Sequence, residues 1–447
     1  MKKTFELLKE SFPYDSDKLE DYAKKRQLLP HLEVFLSHVD NWLTKNPVEK
    51  QAIEKDYIVD LLTWMDNGYS DLGNPKRRKE LSEWALAIKE KLYGPDHCTV
   101  TGTLENLGIV HGDLGNPQKA KESLERALAI KEKLYGSDHF QVATTLANLG
   151  NTHGALGNSQ KAKELLEWKA LPIFKKHYGS NHPKVAKLLE NLGIAYGKLG
   201  NPQKAKKLLE QALATQERHY GPDHFTVAMT LANLGNAYYV LGNPQKTKEL
   251  LERALAIDKK HYGSDHFMVA VVLANLGIAH GDLGNPRRAK ELLERALAIK
   301  KKLYGPDHFQ VAKILANLGI TYSTLGNHKR KKELLEQALP IFEKHYSPDH
   351  FEVAVILENL GIAYGDLGAP QKAKEFFERA LAIKEKLYRP DHFQVAGTLT
   401  NLSIVYRALG NFQKAKELLE QVLPILEKHY GPDHPEVAKL LAELDDI

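Results

Sequence analysis

The chain has 447 residues, with 62 Lys and Arg against 57 Asp and Glu, so a formal net charge of +5 is spread over a long sequence. That balance is too mild for the concentrated basic patch that nucleic-acid binding uses, and no apolar run approaches the roughly 18 residues of a membrane span. The one cysteine, Cys98, excludes a disulfide framework and a thiolate zinc site, and suits a reducing, cytoplasmic setting.

Met1-Lys2-Lys3 has the charge of a signal-peptide start, but Glu6, Lys9 and Glu10 interrupt the stretch that should be apolar. Residues 1–55 are expected to form an N-terminal helical segment, helical in pattern from 14 to 47 with Leu28, Leu29, Leu32, Val34 and Phe35 apolar. Residues 56–97 are a degenerate first copy of a repeated unit, 98–433 hold eight copies of 42 residues, and 434–447 read as a lone capping helix. In the degenerate copy Trp64 stands where every later unit has asparagine, and in the cap Glu443 does. One extra residue near Trp168 makes that unit the expected site of a geometric change.

Each unit divides into two helices. The first starts at an Asp-His step, where Asp223 is expected to act as N-cap, its carboxylate accepting from orphan amides. Val227, Leu231, Leu234 and Tyr238 then recur at helical spacing, and Gly242 is expected to end the helix in the left-handed conformation. The second helix opens with Asn243 and Pro244, buries Leu250, Leu251, Ala254, Leu255 and Ile257, and stops at Tyr262-Gly263. Pro172, Pro340 and Pro424 fall inside second helices and should bend them. A helix pair of this kind cannot cover its own apolar faces, so neighbours must stack into one continuous core.

The residues Leu273, Leu276, Gly277, His280, Ala289, Leu293 and Ala296 make this pattern resemble a tetratricopeptide repeat, in the lengthened form found in kinesin light chains. The resemblance covers residues 56 to 446. It implies an all-α, right-handed superhelical solenoid of antiparallel helix pairs whose first helices line the concave face. The segment Arg26-Gln27-Leu28-Leu29-Pro30-His31 is similar to the joint before repeats in STAND-type ATPases, although no phosphate-binding Gly-Lys-Ser/Thr loop is present.

Asn106, Asn148, Asn191, Asn233, Asn275, Asn317, Asn359 and Asn401 occupy one slot of the first helix, 42 residues apart except for 43 between Asn148 and Asn191. An amide side chain offers one acceptor and two donors, so it can hold a peptide main chain whatever the side chains. Within the family resemblance, this slot matches the asparagine ladder of O-linked N-acetylglucosamine transferase and kinesin light chains, which implies an extended protein or peptide ligand. The alternative is that each asparagine ties its helix to the next. Asn151 and Asn236 stand three positions on, where the other repeats have isoleucine, and Tyr239 six positions on, where five repeats have glycine and two have Ser323 and Arg407; these three complete the candidate peptide-binding set. The position before each asparagine varies among Glu105, Ala147, Glu190, Ala232, Ala274, Ala316, Glu358 and Thr400, which either gives local selectivity or carries no meaning.

Nine histidines, from His97 to His434, follow the cap residue, one per repeat; that spacing suits capping and not the convergence a metal site needs. His111, His153 and His280 take the family's aromatic packing slot. No catalytic motif appears, and no cofactor or metal is expected. The expected function is therefore a non-enzymatic protein–protein interaction scaffold. Two other readings stay open: a sensor part of a STAND-type ATPase system, and a structural repeat that self-associates through its ends.

Overall fold

The computed structural model describes residues 19–45, 55–72, 74–346 and 348–445, and every regular element among them is a helix. The long α1 (Leu19–Lys45) is followed by α2 (Lys55–Asp71) and α3 (Pro75–Tyr93), then α4 (Cys98–Asp113) and α5 (Pro117–Tyr135). Next come α6 (Phe140–Ala155) and a second helix broken into α7 (Ser159–Lys163), a π-helix (Glu164–Ala170) and α8 (Leu171–Tyr178). The order continues α9 (Pro183–Lys198), α10 (Pro202–Tyr220), α11 (Phe225–Val240), α12 (Pro244–Tyr262), α13 (Phe267–Asp282) and α14 (Pro286–Tyr304). It ends with α15 (Phe309–Thr324), α16 (His328–Tyr346), α17 (Phe351–Asp366), α18 (Pro370–Leu387), α19 (Phe393–Ala408), α20 (Phe412–Tyr430) and α21 (Pro435–Asp445). Two compact units divide at Ala279 and His280, within α13.

Local chemistry sets the helix ends. The first helices are capped by histidine, not by the aspartate expected from the sequence: His224 Nδ1 accepts from the Thr226 amide at 3.3 Å, and His350 Nδ1 from the Glu352 amide at 3.1 Å. An imidazole one residue closer to the helix reaches the amide two positions on, which is the N-cap bond. The capping ring also stacks on the tyrosine that ends the preceding helix, as Tyr262 does on His266 with centroids 4.1 Å apart. At the other end, Gly242 at φ 73° donates its amide to Tyr239 O, and the Asn243 amide reaches Tyr238 O. That bonding pair satisfies the last carbonyls and needs a left-handed residue, hence glycine. Asn243 then caps α12, its Oδ1 accepting from the Lys246 amide at 3.0 Å.

In the first unit, Leu146, Leu149, Leu166, Val185, Leu192 and Ala212 belong to one buried cluster. A glycine two residues after the asparagine serves this packing, as at Gly108, where a Cβ would lie 2.5 Å from Leu124 Cγ. In the second unit, Leu335 and Phe377 fill the equivalent space, and a Cβ on Gly361 would lie 2.8 Å from the Phe377 ring.

The helix expected over 14–47 is seen as α1 from Leu19; residues 14–18 and 46–47 lie outside the described residues. Its Leu29, Leu32, Leu36 and Val39 share a core with Ile58, Leu61, Leu62 and Trp64. Glu33 fastens it further, accepting from Tyr69 Oη at 2.7 Å and from Arg77 Nη2 at 2.6 Å. Trp64, in the asparagine slot, is thus core. The extra residue near Trp168 is absorbed as the π-helix, the usual way a helix takes one inserted residue. Pro340 and Pro424 lie inside uninterrupted α16 and α20, so proline alone does not break the second helix.

Candidate peptide-binding face

All eight asparagines are half-buried on their first helices, and Asn151, Asn236 and Tyr239 are exposed beside them. The helical repeat puts positions 0, +3 and +6–7 on one face. In the first unit this face carries Asn106, Asn148, Asn191, Asn233 and Asn275, with Ile109, Ile194, Asn151 and Asn236 open to solvent. In the second unit it carries Asn317, Asn359 and Asn401, each followed three residues on by an exposed isoleucine: Ile320, Ile362 and Ile404. These isoleucines were visible in the sequence as groove residues, but only their exposure separates them from core.

The amides do not all do the same thing. Asn106 Nδ2 donates to Asp66 Oδ2 at 3.0 Å and Asn233 Nδ2 to Glu190 Oε1 at 2.8 Å, each tying its helix to the preceding first helix. Asn359 Nδ2 turns back to Val355 O, within its own helix. Among the described residues, the side chains of Asn148, Asn191, Asn275, Asn317 and Asn401 have no hydrogen-bond partner. Being half-exposed, they carry no penalty for an unmet bond and keep their donors available.

Six positions after the asparagines, Gly112, Gly281 and Gly365 have nothing within 4 Å of where a Cβ would stand. Gly154 and Gly197 meet only ordinary contacts, at 3.8 Å and 3.9 Å from the Ala162 and Ala205 Cβ atoms. Tight packing therefore does not account for these glycines, in contrast to Gly108. They leave bare helix backbone on the candidate face, and at one of them Lys198 Nζ already donates to Gly154 O at 2.7 Å.

At three of the positions before an asparagine, a glutamate joins neighbouring helices. Glu105 lies 2.8 Å from Lys131 Nζ on the second helix and accepts from Thr145 Oγ1 on the next first helix. Glu358 does the same with Lys384 at 2.7 Å and with Thr398. The Thr230 hydroxyl lies 2.9 Å from Glu190 Oε2 and 2.6 Å from Gln216 Oε1, the two oxygens sharing its one proton. Where the first position is Ala147 or Ala316, the equivalent others are Phe174 with Leu188, and Phe342 with Ile356, all buried. At these five joints three positions scattered through the sequence are matched in polarity, because a buried charge needs a partner and a buried apolar group offers none; the sets Ala232–Asp258–Val272 and Ala274–Lys300–Ile314 are not matched.

The slot five after each asparagine behaves as the packing site expected. Tyr196 Oη donates to Glu167 Oε2 at 2.8 Å and Tyr364 Oη to Glu336 Oε1 at 2.5 Å, each reaching the preceding second helix. Burial and the acceptor carboxylate push the Tyr196 phenol up to about 12. At Tyr364 the Glu336 hydrogen bond, then burial, gives about 12 as well. Where histidine replaces tyrosine, at His111 and His153, Nδ1 is buried with no partner and burial holds the imidazole below its usual pKa.

Among the described residues no group of three or more His, Cys, Asp or Glu could hold a metal ion, and no helix is long and apolar enough to cross a membrane. A family model described as tetratricopeptide repeat matches residues 99–168, 226–302, 291–344, 332–386, 353–428 and 394–444, and a second of the same description matches 185–226. The chain belongs to the tetratricopeptide repeat family. Its repeats are of the kinesin-light-chain type. A protein of nearly identical TPR-like repeats related to kinesin light chain, from Podosopora anserina, is 31% identical over 46% of this chain and 98% of that one, with a TM-score of 0.41. BtubC from P. vanneervenii is 24% identical over 52% and 92%, with a TM-score of 0.44. The quorum sensor NprR from B. thuringiensis is 14% identical over 85% and 100%, and at a TM-score of 0.55 it shares the fold of this tetratricopeptide repeat protein. None of the curated proteins matches the chain.

Proposed function

We propose that this tetratricopeptide repeat protein is an interaction scaffold that holds an extended peptide segment of another protein along its first-helix face. The observation that carries the reading is the pairing of unused amides with bare backbone. Asn148 and Asn191 have unengaged donors, and Gly154 and Gly197 on the same helices leave the surface low beside them. A ligand backbone laid there gains amide hydrogen bonds that ignore sequence, while Ile194 and Tyr239 offer apolar contacts that would read its side chains. Helices pack about 8–10 Å apart and an extended chain advances roughly 3.3 Å per residue. Each asparagine interval in the first unit therefore matches about three ligand residues, and its row matches about a dozen.

A random 12-residue display library panned on the full chain tests this. Selected peptides are expected to bind the native protein and to lose at least about ten-fold in affinity, roughly 1.4 kcal/mol, on the Asn148→Ala/Asn191→Ala double variant with its melting temperature unchanged. Equal binding by a folded double variant would remove the ladder from the function.

A further inference from the structure

Asp258 breaks the matching rule that governs the polar slots. It stands on α12 at the position taken by Lys131, Gln216 and Lys384 in the polar copies, by Phe174 and Phe342 in the apolar ones, and by the buried Lys300 opposite Ala274 and Ile314. The two equivalent partner positions, on α11 and α13, are Ala232 and Val272, which is the apolar pattern. Asp258 is nevertheless fully buried, and neither carboxylate oxygen has a hydrogen-bond partner among the described residues.

Among the described residues no cation pairs with it, and the buried Lys300, in the same slot of the next second helix, makes no bond to it. α11 bears no charged side chain, its titratable groups being Tyr238 and Tyr239, and α13 bears none as far as Ala279. The capping His266 before α13 is engaged with the Met268 amide. α1 also touches α12 and brings the buried Lys25, but that ammonium makes no bond to Asp258. The cations and anions on α12 itself, such as Arg253 and Glu252, are on its solvent side. Burial alone raises the Asp258 carboxyl to about 7.

We infer that the α11–α12–α13 repeat joint is a pH-responsive weak point, closed while the Asp258 carboxyl is protonated and loosened when it ionises. A neutral carboxyl is tolerated in an apolar slot far better than a carboxylate, whose burial without a partner is the costly case. Asn233 and Asn275 sit on the first helices of this joint, so its opening falls within the first unit's asparagine row.

Hydrogen exchange of the full-length protein at pH 6, 7 and 8, corrected for the intrinsic rate, tests the inference. With the carboxyl titrating near 7 when closed and near 3.8 when open, the opening constant of α11–α13 is expected to rise about ten-fold from pH 6 to pH 8. Asp258→Asn and Asp258→Phe should both flatten that profile, the second because it restores the pattern of Phe174 and Phe342. Histidine caps act in the opposite sense, losing protection toward acid, so they cannot imitate the effect. A flat profile in the native protein, or an undiminished slope in Asp258→Asn, would overturn the inference.

Discussion

Two glycines only four residues apart on α4 show how much one added methyl group can differ in effect. At Gly112 a Cβ meets open space, so Gly112→Ala gains helix propensity, about 0.5–1 kcal/mol. At Gly108 the same carbon would lie 2.5 Å from Leu124 Cγ, and overpacking of this kind typically costs about 1–3 kcal/mol. Chemical denaturation of the two single variants should therefore move the midpoint in opposite directions. Both glycines look alike in the sequence, as helix-interior residues at fixed offsets from an asparagine. The distinction is made by which side of α4 faces α5.

Between elements, the buried Glu–Lys–Thr sets predict how repeats may be exchanged. Glu105→Ala leaves Lys131 buried without its carboxylate, and breaking a buried pair this way costs about 3–5 kcal/mol. The triple change Glu105→Ala, Lys131→Phe and Thr145→Leu converts the joint to the pattern seen at Ala147, Phe174 and Leu188, and most of the lost stability should return. Urea unfolding of the single and triple variants measures this; a triple variant as unstable as the single one would mean that the three positions are not one set. From the sequence alone, the residue before each asparagine shows only that it varies amid near-identical repeats. Its part in a three-residue set is hidden there because its partners lie 26 and 40 residues away, on two other helices.

Over the whole molecule, nine first helices share a cap that works only when Nδ1 is unprotonated. His97, His139, His182, His224, His266, His308, His350, His392 and His434 each accept from the backbone amide two residues on. Burial, ahead of neighbouring charges, holds His182 and His350 below the ordinary histidine value. A depressed folded pKa means the stabilisation is complete above about 6.5 and is lost as pH falls through the folded value. Thermal melts should thus drop steadily below pH 6.5, and the His350→Asn variant, whose amide oxygen caps without titrating, should show a shallower drop. An unchanged slope in that variant would assign the acid loss to other groups.

The sequence by itself determined the helix pairs, their ends and the family, because these follow from interactions spanning at most a few turns: apolar spacing, glycine and proline punctuation, and a 42-residue period. It also placed the asparagine row and the irregular third repeat. Only the tertiary structure decided that Asn106 and Asn233 are engaged between repeats while Asn148 and Asn191 are not. It alone showed that histidine and not aspartate caps, and that Asp258 is stranded in an apolar slot. Those outcomes depend on which atoms of neighbouring repeats come within bonding distance, and a repeat period says where equivalent residues stand without saying what each one meets.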